Sequence, residues 1–535
     1  MLLPAEAELA QPPVFTDRQE AEFENEALEQ PLDATHSSGQ VTRSGSGSTL
    51  TNNATGGELK AKTGAELEKG QEYIVVDFEA GSGEDPKEWS KGHKWFVTLS
   101  CSSLCLIVAL GSAMPTGDFA GPAKSLHVGN EVIFLTISLF VVGFGVGPLA
   151  FAPLSEVVGR KMVYCISIFL YFIFTLPSAL APNIGVMLAF RLLAGICSSA
   201  PMTNAGGSIA DVWNTAERGP PMALFSATIF LGPCLGPLFG GWISYKTGQW
   251  RWIYWVLFIV VGVVFCFTLV MPETLPTVLL RRKAAKLNKE HNTTVYVSKH
   301  DLNRVPLAET IKAAATRPFI LMFCELPILF MSFYLSFVYS LLYATFFAFP
   351  IAFEEIRGYN AGITGVTFCS IMLGIFIAMA CMPLQERFYK RKCAEVHIPE
   401  YRLVPMMVGS VILPCSLFIL AFTSYPGISW VGPCAAGVLF GLAMVIVYIS
   451  ANTYIVDAYS SYAASAIAAK TLMRSLVGAS VPLWITQLFH NIGFWQAGLL
   501  LAMVSVGIMP IPFFFFWKGA AVRSRSTRAE KPQHI

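Results

Sequence analysis

From about residue 95 onward the chain alternates long apolar runs with short polar breaks. The runs fall near 95–117, 132–153, 162–182, 186–209, 220–243, 252–271, 319–349, 362–383, 404–424, 430–453, 466–489 and 496–517. Apolar runs of about 18 residues or more are the mark of helices that cross a bilayer. The pattern therefore predicts about twelve transmembrane helices, the seventh ending in a bent turn near Pro350. Residues 1–94 differ. They are polar and acidic, as in SSGQVTRSGSGSTLTNNATGG at 37–57. Such a stretch buries too little apolar surface to offset chain entropy and is expected to be a disordered tail. It has no apolar core of the signal-peptide kind.

Composition agrees. Of 535 residues 54% are hydrophobic and 13% charged, against about 25% charged in soluble domains. About half of the acids precede residue 90, so the net charge of +2 conceals a basic membrane face. Positive charge gathers in alternate loops: Arg160 and Lys161, Arg218, the segment from Arg281 to Lys289, the segment from Arg387 to Lys392, and the tail after Lys518. Loops rich in Lys and Arg stay in the cytosol, which places both termini there. Most of the 12 cysteines stand singly inside runs and are expected to be core residues. No stretch matches a phosphate-binding Gly-x4-Gly-Lys-Ser/Thr loop, a zinc-protease HExxH or a hydrolase elbow. No enzymatic activity, cofactor, metal or nucleic-acid partner is expected.

The chain also repeats itself. PLSEVVGRK (153–161), between the second and third runs, is echoed by PLQERFYKR (383–391) between the eighth and ninth. Ile209-Ala210-Asp211-Val212-Trp213 is echoed by Ile455-Val456-Asp457-Ala458-Tyr459. These echoes divide the membrane part into six-helix halves at 95–271 and 319–517, joined by a basic linker at 272–318 and followed by a tail at 518–535. Parallel repeats of this kind place a binding site at their interface near the bilayer midplane.

The loop PLSEVVGRK resembles the signature loop of the major facilitator superfamily, with Leu154, Gly159, Arg160 and Lys161 kept and Ala152, Glu156 and Val157 as departures. GPCLGPLFGG (232–241) resembles that superfamily's drug:proton antiporter motif, and Arg191-Leu192-Leu193-Ala194-Gly195 its third motif. EDPKEW (84–89), NAGGSIADVW (204–213) and PIPFFFFWKG (510–519) are similar to the fungal polyamine and multidrug exporter branch. Lys470 departs from the uncharged residue expected there. The resemblance implies an all-α fold of twelve spans in two pseudo-repeats. It implies proton-coupled efflux of a small organic molecule, with a facilitator or importer of the same fold, or a transporter-like receptor, as alternatives. The substrate class stays open among drugs, polyamines, organic acids and secondary metabolites such as glycolipids. A monomer in the plasma membrane is expected, with the vacuolar membrane as the alternative.

Candidate residues follow. Gly232, Gly236 and Gly240 recur every four residues on one helical face, where small residues let backbones approach. Pro233 and Pro237 add a kinked stripe beside them, and the resemblance turns this helix toward span 8. Glu156, Gly159, Arg160, Lys161, Asp211, Glu386 and Arg387 are gating candidates. Glu156 is expected to cap or pair with cations, and Arg160 and Lys161 to pair with acids such as Asp211. Charges within spans are costly and therefore functional candidates. Glu325, placed about 12 Å into span 7 at 1.5 Å per residue, is the leading proton-coupling carboxyl, with Arg191 and Asp118 beside it. Lys470 and Arg474 are expected near the cytosolic mouth. The resemblance lines the cavity from spans 1, 4, 7 and 10, with Asn204, Tyr334, Tyr339, Tyr343, Tyr448 and Asn452 as substrate-binding candidates. With so few charges among these, the site is expected to suit amphipathic or weakly charged molecules.

Overall fold

A computed structural model of the chain describes residues 74–79, 81–214, 217–299, 307–392, 398–459, 462–524, 526 and 528–529. The expected disordered tail at 1–73 lies outside them. Helices form where the apolar runs predict them. Spans 1 to 6 are Lys91–Gly117, the pair Asn130–Val146 and Pro148–Val158, Arg160–Leu180, Ile184–Val212, Gly219–Thr247 and Arg251–Val270. Spans 7 to 10 are Leu326–Glu355, Ala361–Tyr389, Pro399–Thr423 and Val431–Ala458, and span 12 is Phe494–Arg523. Span 2 bends by 41° at Gly147 and Pro148, where proline removes a backbone donor. Among the described residues, ten helices are long and apolar enough to cross a membrane, and the bent pair makes eleven. The twelfth in sequence, span 11, is Ala463–Ile492. Its 30 residues give a length of about 45 Å at 1.5 Å per residue, but it is more polar and carries Lys470 and Arg474.

Local chemistry sets the ends. Asn183 caps span 4, its side chain accepting from the Val186 amide at 3.0 Å. Gly248 ends span 5 at φ 64, a left-handed conformation that favours glycine. Apolar side chains face outward around the bundle, including Val270, Phe323, Leu384 and Trp517, as they do where the solvent is lipid.

Three expectations are corrected. The seventh span does not begin at 319. A separate helix, Leu307–Cys324, ends before it, and Glu325 lies in extended backbone between the two, ahead of Pro327. Glu325 therefore stands at the start of span 7 and not 12 Å inside it. The end of the acidic tail is also ordered. Strand β1 (Ile74–Val76) pairs in parallel with β2 (Tyr296–Ser298) of the linker, and a short helical turn, Pro86–Glu88, precedes span 1. The linker contains the helix Pro276–Glu290. Its Lys283 reaches Glu84 at 2.7 Å and Glu79 at 3.4 Å. Partial burial pulls the Lys283 ammonium down, but Glu84 and then Glu79 outweigh it and hold it above the ordinary lysine value. Finally, span 12 continues to Arg523, so the carboxy-terminal tail begins later than 518. Arg523 is anchored by a buried ion pair to Glu400, with Nε to Oε1 and Nη2 to Oε2 both at 2.9 Å.

Candidate functional site

The glycine stripe of span 5 packs on span 1, not on span 8. A Cβ placed on Gly232 would lie 2.5 Å from that of Ala109, and one on Gly236 would lie 2.7 Å from the Ala113 carbonyl carbon. One on Gly240 would meet the Met114 carbonyl. The neighbouring face, along Pro237 and Leu238, meets span 8. A Cβ on Gly365 would sit 2.7 Å from the Pro237 oxygen, and Gly241 lies against the Ala361 carbonyl. Span 5 is thus held to its own half by the glycines and faces the other half along the proline edge. Phe119 stacks on Phe347 at 5.3 Å nearby, and Gln487 donates to Glu131 at 2.7 Å. These contacts close the end of the bundle away from the Arg160 loop.

The Arg160 end carries polar networks that repeat in the two halves. In the first half the Arg160 guanidinium donates to Ser155 Oγ at 2.7 Å, to Asn204 Oδ1 at 3.4 Å and to Asp211 Oδ2 at 3.5 Å. Ser155 also donates to Asn204 at 3.0 Å. In the second half Gln385, equivalent to Ser155, donates to Ser450 at 3.1 Å, and Ser450 precedes Asp457 by the seven residues that separate Asn204 from Asp211. The cation there is Arg402, which binds Asp457 at 2.9 Å and Glu386 at 3.0 Å and lies 3.5 Å over the Tyr389 ring. Helix Leu307–Cys324 packs against Pro148–Val158 across the same end.

Several expected roles change here. Glu156 is exposed and makes no ion pair or hydrogen bond among the described residues. The acid that serves this loop is Glu273, buried just after span 6. Its oxygens accept from the backbone amides of Arg160 at 2.9 Å and Lys161 at 3.3 Å, capping the start of span 3. The side chain of Lys161 forms no ion pair among the described residues. Gly159, at φ 112, admits this approach because a Cβ there would strike Glu273. Arg387 is exposed, and Arg402 takes the place foreseen for it. Asn204 belongs to this network and not to the cavity. Glu325 is buried and accepts from the Tyr459 hydroxyl at 3.1 Å. Tyr334 is buried and does not line the cavity. Asp118, at the opposite end, accepts from Ser244 at 2.6 Å and from the Gly121 amide at 2.8 Å. Arg191 is buried among backbone carbonyls, those of Thr136 at 3.1 Å and Gly111 at 3.2 Å, with its guanidinium 4.3 Å over Phe140. No carboxylate among the described residues pairs with it.

Between the two closed ends lies a narrow cavity, with room for about one water molecule as it stands, bounded by spans 1, 2, 4, 5, 7 and 11. Tyr339 and Tyr343 line it, with their hydroxyls 3.4 Å apart. Pro233 lines it too. Arg474 is the charged residue in its wall, and the expectation that Lys470 and Arg474 sit at the mouth fails. Arg474 lies eleven residues into span 11, about 16 Å along the helix. Lys470 is 1% and Arg474 3% exposed. Residues four apart share a helix face, and three such pairs converge: Tyr339 with Tyr343, Tyr448 with Asn452, and Lys470 with Arg474. Lys470 donates to Asn452 Oδ1 and to Tyr448 Oη. The Arg474 guanidinium lies 4.3 Å from the Tyr339 ring and 5.4 Å from that of Tyr448.

A lipid-facing bundle of long helices, with matching polar networks in its two repeats and a cavity between its closed ends, is the architecture of a membrane transporter. The family model of the Major Facilitator Superfamily matches residues 99–482. The chain belongs to that superfamily, and is a multi-pass membrane transporter and not an enzyme. It is 40% identical over 478 residues to the MFS-type transporter paaT of Penicillium rubens, covering 89% of this chain and 87% of that one. It is 38% identical to Polyamine transporter 3 of Saccharomyces cerevisiae, over 86% of this chain and 74% of that one. With the multidrug transporter mdrA of Aspergillus fumigatus it shares 39% identity, over 86% and 76%. These names match the fungal polyamine and multidrug branch. The solved proton:xylose symporter XylE shares the fold, with a TM-score of 0.59 at 14% identity over 80% of this chain and 96% of that one.

Proposed function

We propose that the protein is a proton-coupled exporter of a small organic molecule, working by alternating access between the halves 95–271 and 319–517. One observation carries this reading: a central cavity lies between two ends closed by contacts that can be broken without unfolding a helix. Separating spans 5 and 8 would open one end. Parting Leu307–Cys324 from Pro148–Val158 would open the other. The efflux-pump names of two further relatives, from Trichophyton rubrum and Gibberella moniliformis, support the direction of transport. The basic loops support cytosolic placement of the Arg160 end and of both termini, in the plasma membrane.

An ion gradient suits the energetics. A proton crossing about 100 mV yields about 2.3 kcal/mol, and one pH unit adds about 1.4. The sum, roughly 3.7 kcal/mol, concentrates a neutral solute a few hundred-fold per proton. Glu325 is the proposed proton carrier, because it is a buried carboxyl that meets a hydroxyl and forms no ion pair among the described residues. In sealed inverted vesicles, an inside-acid gradient should drive uptake of the substrate, and Glu325→Gln should flatten its pH dependence at matched protein level. Uptake that needs ATP and ignores a protonophore would refute the reading.

A further inference from the structure

Two cations stand in the middle of this bundle without an anion. Neither Lys470 nor Arg474 forms an ion pair among the described residues. The titratable groups acting on the pair are Tyr448, Tyr339 and Tyr343. On Arg474, Nε and Nη1 have no acceptor, although the residue is almost wholly buried and lines the cavity. A buried, uncompensated charge is costly, and a buried donor without an acceptor adds to that cost. The other buried guanidiniums of the bundle do not carry this deficit in full. Arg523 has Glu400, and Arg191, off the cavity wall, has two carbonyls and leaves only Nη2 without an acceptor.

We infer that the central cavity is an anion site, and that Arg474, with Lys470 behind it, binds the oxyanionic head of the transported molecule. The inference rests on the proposal that this cavity carries the substrate. The head group would accept from the free donors of Arg474 and lie within the field of Lys470. Lys470 is itself positioned by Asn452 and Tyr448. Apart from Ser112 and the Tyr339 and Tyr343 hydroxyls the remaining wall is apolar, with Phe144, Phe230, Met202 and Leu342 on it. It therefore suits a carboxylate on an apolar body. A polyamine would meet two desolvated like charges here. This corrects the expectation of a weakly charged site: charge is present, and its sign excludes cations from the position beside Arg474.

The test is equilibrium binding to the purified full chain in phosphatidylcholine nanodiscs, which contain no anionic lipid. The probes share one ring system: 2-naphthoate, neutral 2-naphthamide and cationic 2-naphthylmethylammonium. The wild type should bind naphthoate at least tenfold more tightly than the ammonium probe. Arg474→Gln and Lys470→Met should each weaken naphthoate binding tenfold or more and leave naphthamide nearly unchanged, while Arg474→Lys should retain part of the affinity. Equal binding of the three probes by the wild type, or a preference for the cation, would overturn the inference, even if the variants failed to fold. So would naphthoate binding that Arg474→Gln leaves intact. Addition of phosphatidylglycerol in a parallel arm should not displace naphthoate; full displacement would assign the site to a lipid headgroup and overturn the assignment to substrate. The fate of the export reading is separate. Anion-selective binding without gradient-driven uptake in vesicles would reject export but keep the anion site. Gradient-driven uptake of a cation unaffected by Arg474→Gln would do the reverse.

Discussion

Replacing Gly159 with alanine should loosen the Arg160 end of the transporter by an amount the geometry sets. Gly159 has φ 112 and ψ 153, a region essentially restricted to glycine, and holding another residue there costs about 1–3 kcal/mol. The new methyl would also collide with Glu273. That carboxylate must then withdraw from the Arg160 amide it accepts at 2.9 Å, and a hydrogen bond to a charged group contributes about 1.5–3 kcal/mol. Together these give about 2.5–6 kcal/mol, or roughly seventy- to twenty-five-thousand-fold in a local opening equilibrium. Hydrogen–deuterium exchange of the peptide spanning Ser155 to Cys165 reads this directly, because amide exchange of a folded protein follows local opening. Gly159→Ala should accelerate exchange at Arg160 and Lys161 by up to that factor. Glu273→Gln, which keeps the shape but not the charge, should fall between it and the wild type. If a folded Gly159→Ala protein exchanged at the wild-type rate there, both the strain and the capping role of Glu273 would be wrong.

Other positions give contrasting outcomes. Glu400→Gln leaves the Arg523 guanidinium buried without its carboxylate and should cost about 3–5 kcal/mol, seen as an earlier loss of the monodisperse gel-filtration peak on heating. Gly507→Ala, at a helical site with nothing within 4 Å of the new Cβ, should instead stabilise by about 0.4–1 kcal/mol in the same assay. Lys283→Glu should repel Glu79 and Glu84, and limited proteolysis should then cut between Asp77 and Glu88 faster than in the wild type; an unchanged cleavage rate would show that the strand pairing alone holds the segment.

The spans were legible because a twenty-residue apolar run has few other uses, and the repeat was legible from two echoes in order. Side-chain direction was harder. Asn204 was assigned to the cavity because it lies on span 4. Yet it stands seven residues before Asp211, about two helical turns, and so faces the same way, toward the Arg160 loop. Glu273 was missed, although an acid at the end of a span in a carboxylate-poor chain was a usable signal. Arg402 was missed because Arg387 matched the loop echo. Only the fold shows that the cation partnering Asp457 enters from the start of span 9, as Arg160 does from the start of span 3. Lys470 and Arg474 were placed at a mouth because charges are expected at helix ends. Span 11 begins at Ala463, which puts Lys470 about two turns and Arg474 about three turns inside the helix.

The pairing of β1 with β2 fixes a leash. The linker from Met271 to Ser298 is fastened to the first half by that pairing, by Lys283 with Glu79 and Glu84, and by Arg281 on the Val157 carbonyl at 3.3 Å. From Ser298 to Leu307, where the next helix begins, nine residue steps can stretch to about 32 Å at most. A linker untied from 271 onward could reach roughly four times as far. The stride of one half against the other at this end is therefore capped by a tie that the segment ahead of the first span makes, so shortening or severing that segment would lengthen the stride without touching either helical half.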